Sequence, residues 1–463
     1  MASPWLGLSA VLAATIMNLL DSTVVNVAAP AIRAELGGTY AALQWTAASY
    51  TLAMAVGLLT AGRLGDMFGR KRMLLIGVGG FMVASLLCAM AVSPGMLIGA
   101  RLVQGLFAAA MIPQGFGLIR DLFPPQEIGK AFGAFGPVIG LSTILGPVVA
   151  GLLVNADIFG TGWRMVFGIN LPLGLFALLA GRRALPDSTG SGERRLDVTG
   201  ALLGAAGMAL VVYPLVQGRE LGWPLWTVAL LLVAVPVFAV FVRRQLRLRS
   251  EGGSPLVQLS VFAKRSYTSG VGFIIVFFGA IAGFALTVGM FLQLGLGFSA
   301  IHASLTMAAW AVGAFLGSGF AATVGAKLGR RILHIGLSLM AVGVVGVYVV
   351  LRLAGMELSS WDLTVPLLLY GIGMGMIFVP LFGIIMSDIA DHEVGSASGL
   401  LESLQQLGST LGVAVLGTIF FGVMGASAIG SLAGAQIVAL ITLGLTGAAF
   451  GIAFLLPRPV ARH

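Results

Sequence analysis

Runs of about twenty apolar residues, each long enough to cross a bilayer core as a helix, recur fourteen times along this chain. They lie at roughly 5–29, 42–61, 73–92, 95–118, 131–154, 164–181, 197–217, 224–242, 267–293, 303–324, 332–351, 363–386, 396–423 and 433–456. No other feature restricts the fold as strongly. In hydrocarbon every backbone N–H and C=O must be paired within the protein, and a run of this length does that only as an α-helix. Only 9% of the 463 residues are charged, against about 25% in a soluble domain, so little of the chain can face water. The expectation is an all-α polytopic membrane protein with 14 transmembrane helices. The 67 glycines suit it, because small residues let helices approach closely in lipid. The first run has no Lys or Arg ahead of it and outlasts the apolar core of a secretion signal, so it reads as a retained helix. A lone cysteine, Cys88, allows no internal disulfide.

Charge placement tests the count independently. With a cytoplasmic N-terminus, 21 of the 26 Lys and Arg fall in the cytoplasmic loops. Four fall on the other side (Arg33, Arg164, Arg219, Arg352), and Arg101 alone sits within a span. That asymmetry follows the positive-inside rule, and a miscounted span would have scrambled it. Both termini are therefore expected in the cytoplasm. Low Lys with abundant Arg, Ala and Gly points to a GC-rich bacterial source, and so to the bacterial inner membrane.

The loop after the second run reads Gly65-Asp66-Met-Phe-Gly69-Arg70-Lys71-Arg72, and the one after the tenth reads Gly325-Ala326-Lys-Leu-Gly329-Arg330-Arg331. At an offset of 260 residues the two glycines and the basic pair coincide. This internal repeat sets spans 1–6 against spans 9–14. The organisation expected is a six-helix bundle over 1–184, an inserted hairpin with cytoplasmic linkers over 185–266, and a second six-helix bundle over 267–463. Parallel six-helix halves with a binding site between them are the architecture of major facilitator transporters.

The motifs narrow this further. Leu20-Asp21 through Asn26 and Pro30, Gln44-Trp45 with Tyr50, Gly65-Asp66 through Arg72, Arg101 with Gln104-Gly105, and Gly162-Trp163-Arg164 with Phe167, Asn170 and Pro172 together resemble the drug:proton antiporter-2 family. This is the fourteen-helix branch of the major facilitator superfamily, and the resemblance covers nearly the whole chain. It includes an antiporter motif in the fifth span, with Gly133, Gly146, Pro147 and Gly151 in place and Ser142 and Ala150 where the family has glycine. The resemblance implies proton-driven export of lipophilic, often cationic, drugs or toxic natural products. It also implies that Asp66 and Arg70, with Gly65 and Gly69, latch the cytoplasmic side across the two halves.

Ionisable groups inside a span are costly and usually functional. Asp21 and Arg101 fall ~12 Å and ~9 Å from the same face of the bilayer, so they can meet. Desolvation raises a carboxyl pKa and a neighbouring guanidinium lowers it. A pair balanced this way suits a proton-coupling site; the alternative is a static structural pair. Gln104, one turn from Arg101, extends the contact. Glu402 fits a second proton site, a partner for a cationic substrate, or a residue near the headgroups. Asn26, Trp45, Tyr50, Asn170, Gln293, Trp310 and Tyr370 are candidates to line a substrate cavity, with packing as the plain alternative.

Other classes fit poorly. No G-x-x-x-x-G-K-[ST] loop occurs, and no soluble segment is long enough to hold a nucleotide-binding domain. Gly371, Gly373 and Gly375 lie within a span and read as packing glycines. The four histidines show no metal-ligand spacing, and no nucleophile–base pair can be assembled. No enzyme activity, nucleotide, nucleic acid or metal is expected, and the only coupling partner is the proton. The chain is expected to act as a monomer on a lipophilic small molecule. A proton symporter importing a nutrient on the same fold is the alternative, since fold alone gives neither direction nor substrate.

Overall fold

The computed structural model describes residues 3–124, 127, 142, 146, 148–157, 160–187, 196–253, 255–257, 259–389, 394–425 and 427–457. Among these the structure is helical throughout, with no strand. Thirteen helices are long and apolar enough to cross a membrane. They are α1 (Pro4–Leu36), α2 (Tyr40–Phe68), α3 (Arg70–Ala89), α4 (Pro94–Leu122), α5 (Asn170–Ala184, the main part of a span that starts at Gly162), α6 (Val198–Gln217), α7 (Leu225–Ser250), α8 (Arg265–Met290), α9 (Ala300–Leu328), α10 (Arg331–Leu353), α11 (Ser360–Ile385), α12 (Val394–Met424) and α13 (Ala428–Ala453). Each coincides with one of the expected spans. The remaining one, expected over 131–154, falls largely outside the described residues, and those of it that are described, 142, 146 and 148–154, are helical.

Polar residues placed between the apolar runs start several of these helices. Thr39, Ser93, Ser299 and Ser427 each accept a hydrogen bond from the backbone N–H three residues on, so a donor left open at the helix start is satisfied. The repeated Gly–Arg turns end two of the same helices. Gly69 (φ +90°) closes α2 by donating its N–H to Gly65 O, and Gly329 (φ +50°) closes α9 on Gly325 O. Both backbone conformations favour glycine, which is why both copies of the repeat carry glycine at the turn.

The packing repeats as well. In the first bundle α4 lies against α2 and α3, while α5 lies against α1 and α3. In the second, α11 lies against α9 and α10, while α13 lies against α8 and α10. Glycines permit the closest approaches. A Cβ on Gly371 or Gly375 would fall 2.0 Å from a carbonyl of α9, and one on Gly373 2.3 Å from a carbonyl of α10. The Gly371–Gly375 stretch is thus a helix-packing surface.

Helix α12 joins the halves by running along α2. Tyr40 stacks on Phe421 at 4.7 Å, Gln44 Nε2 donates to Val413 O at 3.2 Å, and Thr410 donates to Thr51 at 2.7 Å. Ser403 donates to Ala55 O further along the same seam. The hairpin α6–α7 packs through α6 on both α2 and α12. Helix α7 keeps only 11% of its most apolar window buried, which places it at the lipid boundary. Asp197 pins the base of the hairpin: it caps α6 through Gly200 N (2.9 Å), pairs with Arg244 (2.7 Å) and accepts from Gln245 Nε2 (2.8 Å). Gln245 Oε1 in turn accepts from Leu256 N at 2.7 Å, and Arg63 of α2 donates to Pro255 O at 2.9 Å.

Candidate functional site: a buried charge network

Five helical segments bring polar side chains to one place inside the first bundle. Asp21 on α1, 1% exposed, pairs with Arg101 on α4, also 1% exposed. Gln104 sits one turn after Arg101, so both face α1. Its amide nitrogen donates to Asp21 Oδ1 at 2.9 Å and to Ser85 Oγ of α3 at 2.8 Å. Its amide oxygen accepts from Arg101 at 2.7 Å. Asn170, at the start of α5, donates to the same Asp21 oxygen at 3.0 Å and to Ser85 at 3.1 Å. Arg101 is held from the α2 side too. Its Nε donates to Thr46 O at 3.0 Å, and its guanidinium lies 4.2 Å from the centre of the Tyr50 ring. Tyr50 donates its hydroxyl to Asn18.

The carboxylate thus has a cation and two amide donors, and the cation has a carboxylate, an amide, a carbonyl and an aromatic face. An unpaired charge here would cost several kcal/mol (roughly 3–5). The network satisfies each charge through the other, so removing either one leaves its partner exposed to that cost. The four side chains around Asp21 come from three helices, so any change in its charge is felt by α3, α4 and α5 together.

At the rim, Trp163 Nε1 donates to Glu35 at 2.7 Å, Arg164 pairs with the same carboxylate, and Arg164 also donates to Ala91 O at 3.0 Å. The Gly162-Trp163-Arg164 stretch therefore ties the ends of α1 and α3 beside the start of α5. In the stretch that resembles an antiporter motif, a Cβ on Gly146 would lie 2.4 Å from Thr23 Oγ1 of α1, and one on Gly151 2.7 Å from Ile301 Cα of α9. Gly146 permits close contact within the first half and Gly151 close contact between the halves. Gly133 and Pro147 lie outside the described residues.

The other expected site residues scatter. Arg70 pairs with Asp121 of α4 at 3.5 Å, within its own half, while the Asp66 side chain lies outside the described residues. A Cβ on Gly65 would collide with Gln114 Oε1 at 2.0 Å. Trp45 turns towards the hairpin, with its ring 6.2 Å from that of Tyr213. Trp310 and Tyr370 are core residues of the second bundle, packed edge to face at 4.7 Å, and the Tyr370 hydroxyl is buried without a partner. Gln293 lies in the turn Phe291–Gly295 that follows α8 and donates to Gly289 O at 3.5 Å. Asn26 has a buried carbonyl oxygen without a partner.

Glu402 is half-buried on α12 and has no hydrogen-bond or ion-pair partner among the described residues. Thr418 of the same helix meets α6 by donating to Leu215 O. Helical periodicity puts Glu402, Gln405, Gln406 and Ser409 on the opposite side, away from the hairpin. The spacing i, i+3, i+4, i+7 was readable in the sequence, yet only Glu402 stood out there because it is charged. Ser85, Thr46 and Gln44 were also missed as partners. Single polar residues in apolar runs are common, and only the fold reveals what they meet.

Comparison with known proteins fits this geometry. A model of the Major Facilitator Superfamily matches residues 11–413. The probable actinorhodin transporter of Streptomyces coelicolor is 47% identical over 432 residues, covering 93% of this chain and 75% of that protein. The tetracenomycin C resistance and export protein of Streptomyces glaucescens is 34% identical over 420 residues, covering 90% and 76%. An auto-inhibited POT family peptide transporter has the same fold, with a TM-score of 0.68 at 14% identity and coverage of 99% and 98%. With its repeated helical halves, its paired Gly–Arg turns and its match over most of its length, this chain belongs to the major facilitator superfamily of multi-pass membrane transporters.

Proposed function

We propose that this protein is a proton-coupled antiporter that exports a lipophilic drug-like compound or toxic natural product by alternating access. Relatives named for antibiotic export and resistance support efflux over nutrient import. The observation that carries the coupling mechanism is the buried Asp21 network. As a carboxylate, Asp21 holds Arg101, Gln104 and Asn170 together. Once protonated it no longer balances Arg101, and a guanidinium left without a counter-charge in a dry site must find new partners. Arg101 is bonded to Thr46 O of α2, and Gln44 of that helix bonds across the seam to α12. A proton arriving at Asp21 is thereby felt, through Arg101 and α2, at the contact between the halves. That is the linkage an antiporter needs. The half-buried polar side of α12, Glu402 with Gln405 and Gln406, supplies unpaired acceptors for the substrate or a second proton. The end bearing Arg70–Arg72 faces the cytoplasm, and the protein works as a monomer in a bacterial inner membrane.

The test is pH-gradient dissipation in proteoliposomes, challenged with a panel of lipophilic cationic and neutral drugs and comparing wild type with Asp21→Asn. Substrate-induced proton release is expected in wild type and absent in the variant. Proton release that persists in Asp21→Asn would remove this residue from the proton path. Accumulation of substrate down the proton gradient would identify a symporter instead.

A further inference from the structure

At the end of the first bundle that carries the basic residues, a groove of about 580 Å³ lies between α3 and α5. Its mouth is formed by Lys71, Arg72 and Arg182, and its walls by Leu75, Gly79 and Leu178. Asp187 at the mouth pairs with Lys71 at 2.8 Å and is itself 91% exposed. Arg72 and Arg182 are both exposed and have no ion-pair partner among the described residues. Among the described residues, three cations thus face one carboxylate. Further in, the groove is apolar, and a Cβ built on Gly79 meets nothing within 4 Å, so the trough stays open there. From Lys71 to Gly79 it runs ~12 Å along α3. Ile76 and Leu179, exposed beside it, mark the surface as one that meets lipid chains.

Charge at one end and an open apolar trough at the other match one kind of molecule. A phosphate diester accepts hydrogen bonds from two guanidiniums in a geometry arginine favours, and an acyl chain lies along Leu75, Gly79 and Leu178. Basic pockets between membrane helices on the cytoplasmic side are suited to anionic headgroups. A zwitterionic headgroup would bring its ammonium into a cluster that is already positive. Free phosphate would leave the trough empty. We infer that the groove is a binding site for an anionic phospholipid such as phosphatidylglycerol, its phosphate on Arg72 and Arg182 and one acyl chain over Gly79. This assignment is independent of the proton-coupling scheme, because no residue of the Asp21 network lines the groove.

The experiment is native mass spectrometry of the full chain in detergent, titrated with phosphatidylglycerol or with phosphatidylcholine carrying the same acyl chains. Wild type is expected to retain phosphatidylglycerol at about tenfold lower concentration than phosphatidylcholine. Arg72→Gln with Arg182→Gln should abolish that preference, and Arg72→Lys with Arg182→Lys should keep most of it. Gly79→Leu leaves every charge in place but fills the trough, so it should lose the retained lipid while the protein stays monodisperse on size exclusion. Equal retention of the two lipids by wild type, or phosphatidylglycerol retention unchanged in both the glutamine and Gly79→Leu proteins, would overturn the assignment. Displacement of the lipid by millimolar inorganic phosphate, with Gly79→Leu unaffected, would overturn it too, in favour of a simple anion site.

Discussion

Inside the first bundle, Asp21 and Arg101 face each other among the amides of Gln104 and Asn170, with the Tyr50 ring beneath the guanidinium. Inside the second, Phe284, Trp310 and Tyr370 pack ring against ring at 4.7–6.0 Å. Trp310 stands 260 residues after Tyr50, the same offset that relates the two Gly–Arg turns. The halves share a helix order and a packing pattern, yet their interiors do opposite things. A buried ion pair is an expensive way to fill space and responds to protonation, whereas an aromatic cluster is stable and indifferent to it. The duplicated frame therefore joins a half built around a buried ion pair to a half that has no such group at the corresponding place.

The contrast breaks most sharply at the ion pair. Arg101→Leu leaves a buried carboxylate without its cation and should lower stability by about 3–5 kcal/mol. Adding Asp21→Asn to it should restore most of that loss without restoring proton coupling. Thermal unfolding in detergent measures both, and a double variant no more stable than Arg101→Leu alone would show that the pair is not the unit that matters.

The repeated turns sharpen the comparison on a smaller scale. Gly65→Ala pushes a methyl into the buried Gln114 amide and should cost about 1–3 kcal/mol. Gly325→Ala meets only Ile332 at 3.7 Å and should stay within about 0.5 kcal/mol of wild type. Similar losses at both positions, measured by the same unfolding assay, would mean that the halves are packed alike at this turn.

Asp197 provides a control outside both bundles, since it too is buried beside an arginine and a glutamine. Burial pushes its carboxyl up, but the Gly200 N–H and the Arg244 and Gln245 side chains outweigh that and hold it below the usual range. A carboxyl held low in the folded protein contributes fully above its unfolded value, near about 4, and the contribution fades as pH falls through the folded value. Asp197→Ala should cost about 1–2 kcal/mol near neutral pH, as the loss of a helix cap does. That cost should shrink only under strongly acidic conditions, and transport should stay proton-coupled. Tyr370→Phe is the one change expected to act in the opposite direction. Deleting a buried hydroxyl that has no partner should change stability by less than about 1 kcal/mol, in the stabilising direction.

The fold was legible in the sequence because lipid imposes a single rule on every span, and thirteen described helices fall where the apolar runs lie. Asp21 and Arg101 were legible because charge in an apolar run is rare, and their depths alone matched them. The polar neighbours were less so. Trp45, read as a cavity residue, turns to the hairpin, and Arg70, read as part of a latch between halves, pairs within its own half. Gln44, which stood in the sequence only as part of a motif, bonds across the seam instead.

What the sequence determined by itself was therefore local or one-dimensional: the length and number of the helices, their alternating orientation, the glycines that end α2 and α9, and the internal repeat. Each follows from backbone hydrogen bonding, from charge at the membrane surface or from the φ that only glycine adopts cheaply. The tertiary structure alone decided which side chains share a space. It brought Ser85 and Asn170 to Asp21, laid α12 along α2, set the hairpin against both, and opened the groove between α3 and α5. Those pairings join residues from 19 to 369 positions apart. They depend on how helices of similar composition cross, and a run of apolar residues carries almost no record of its neighbours.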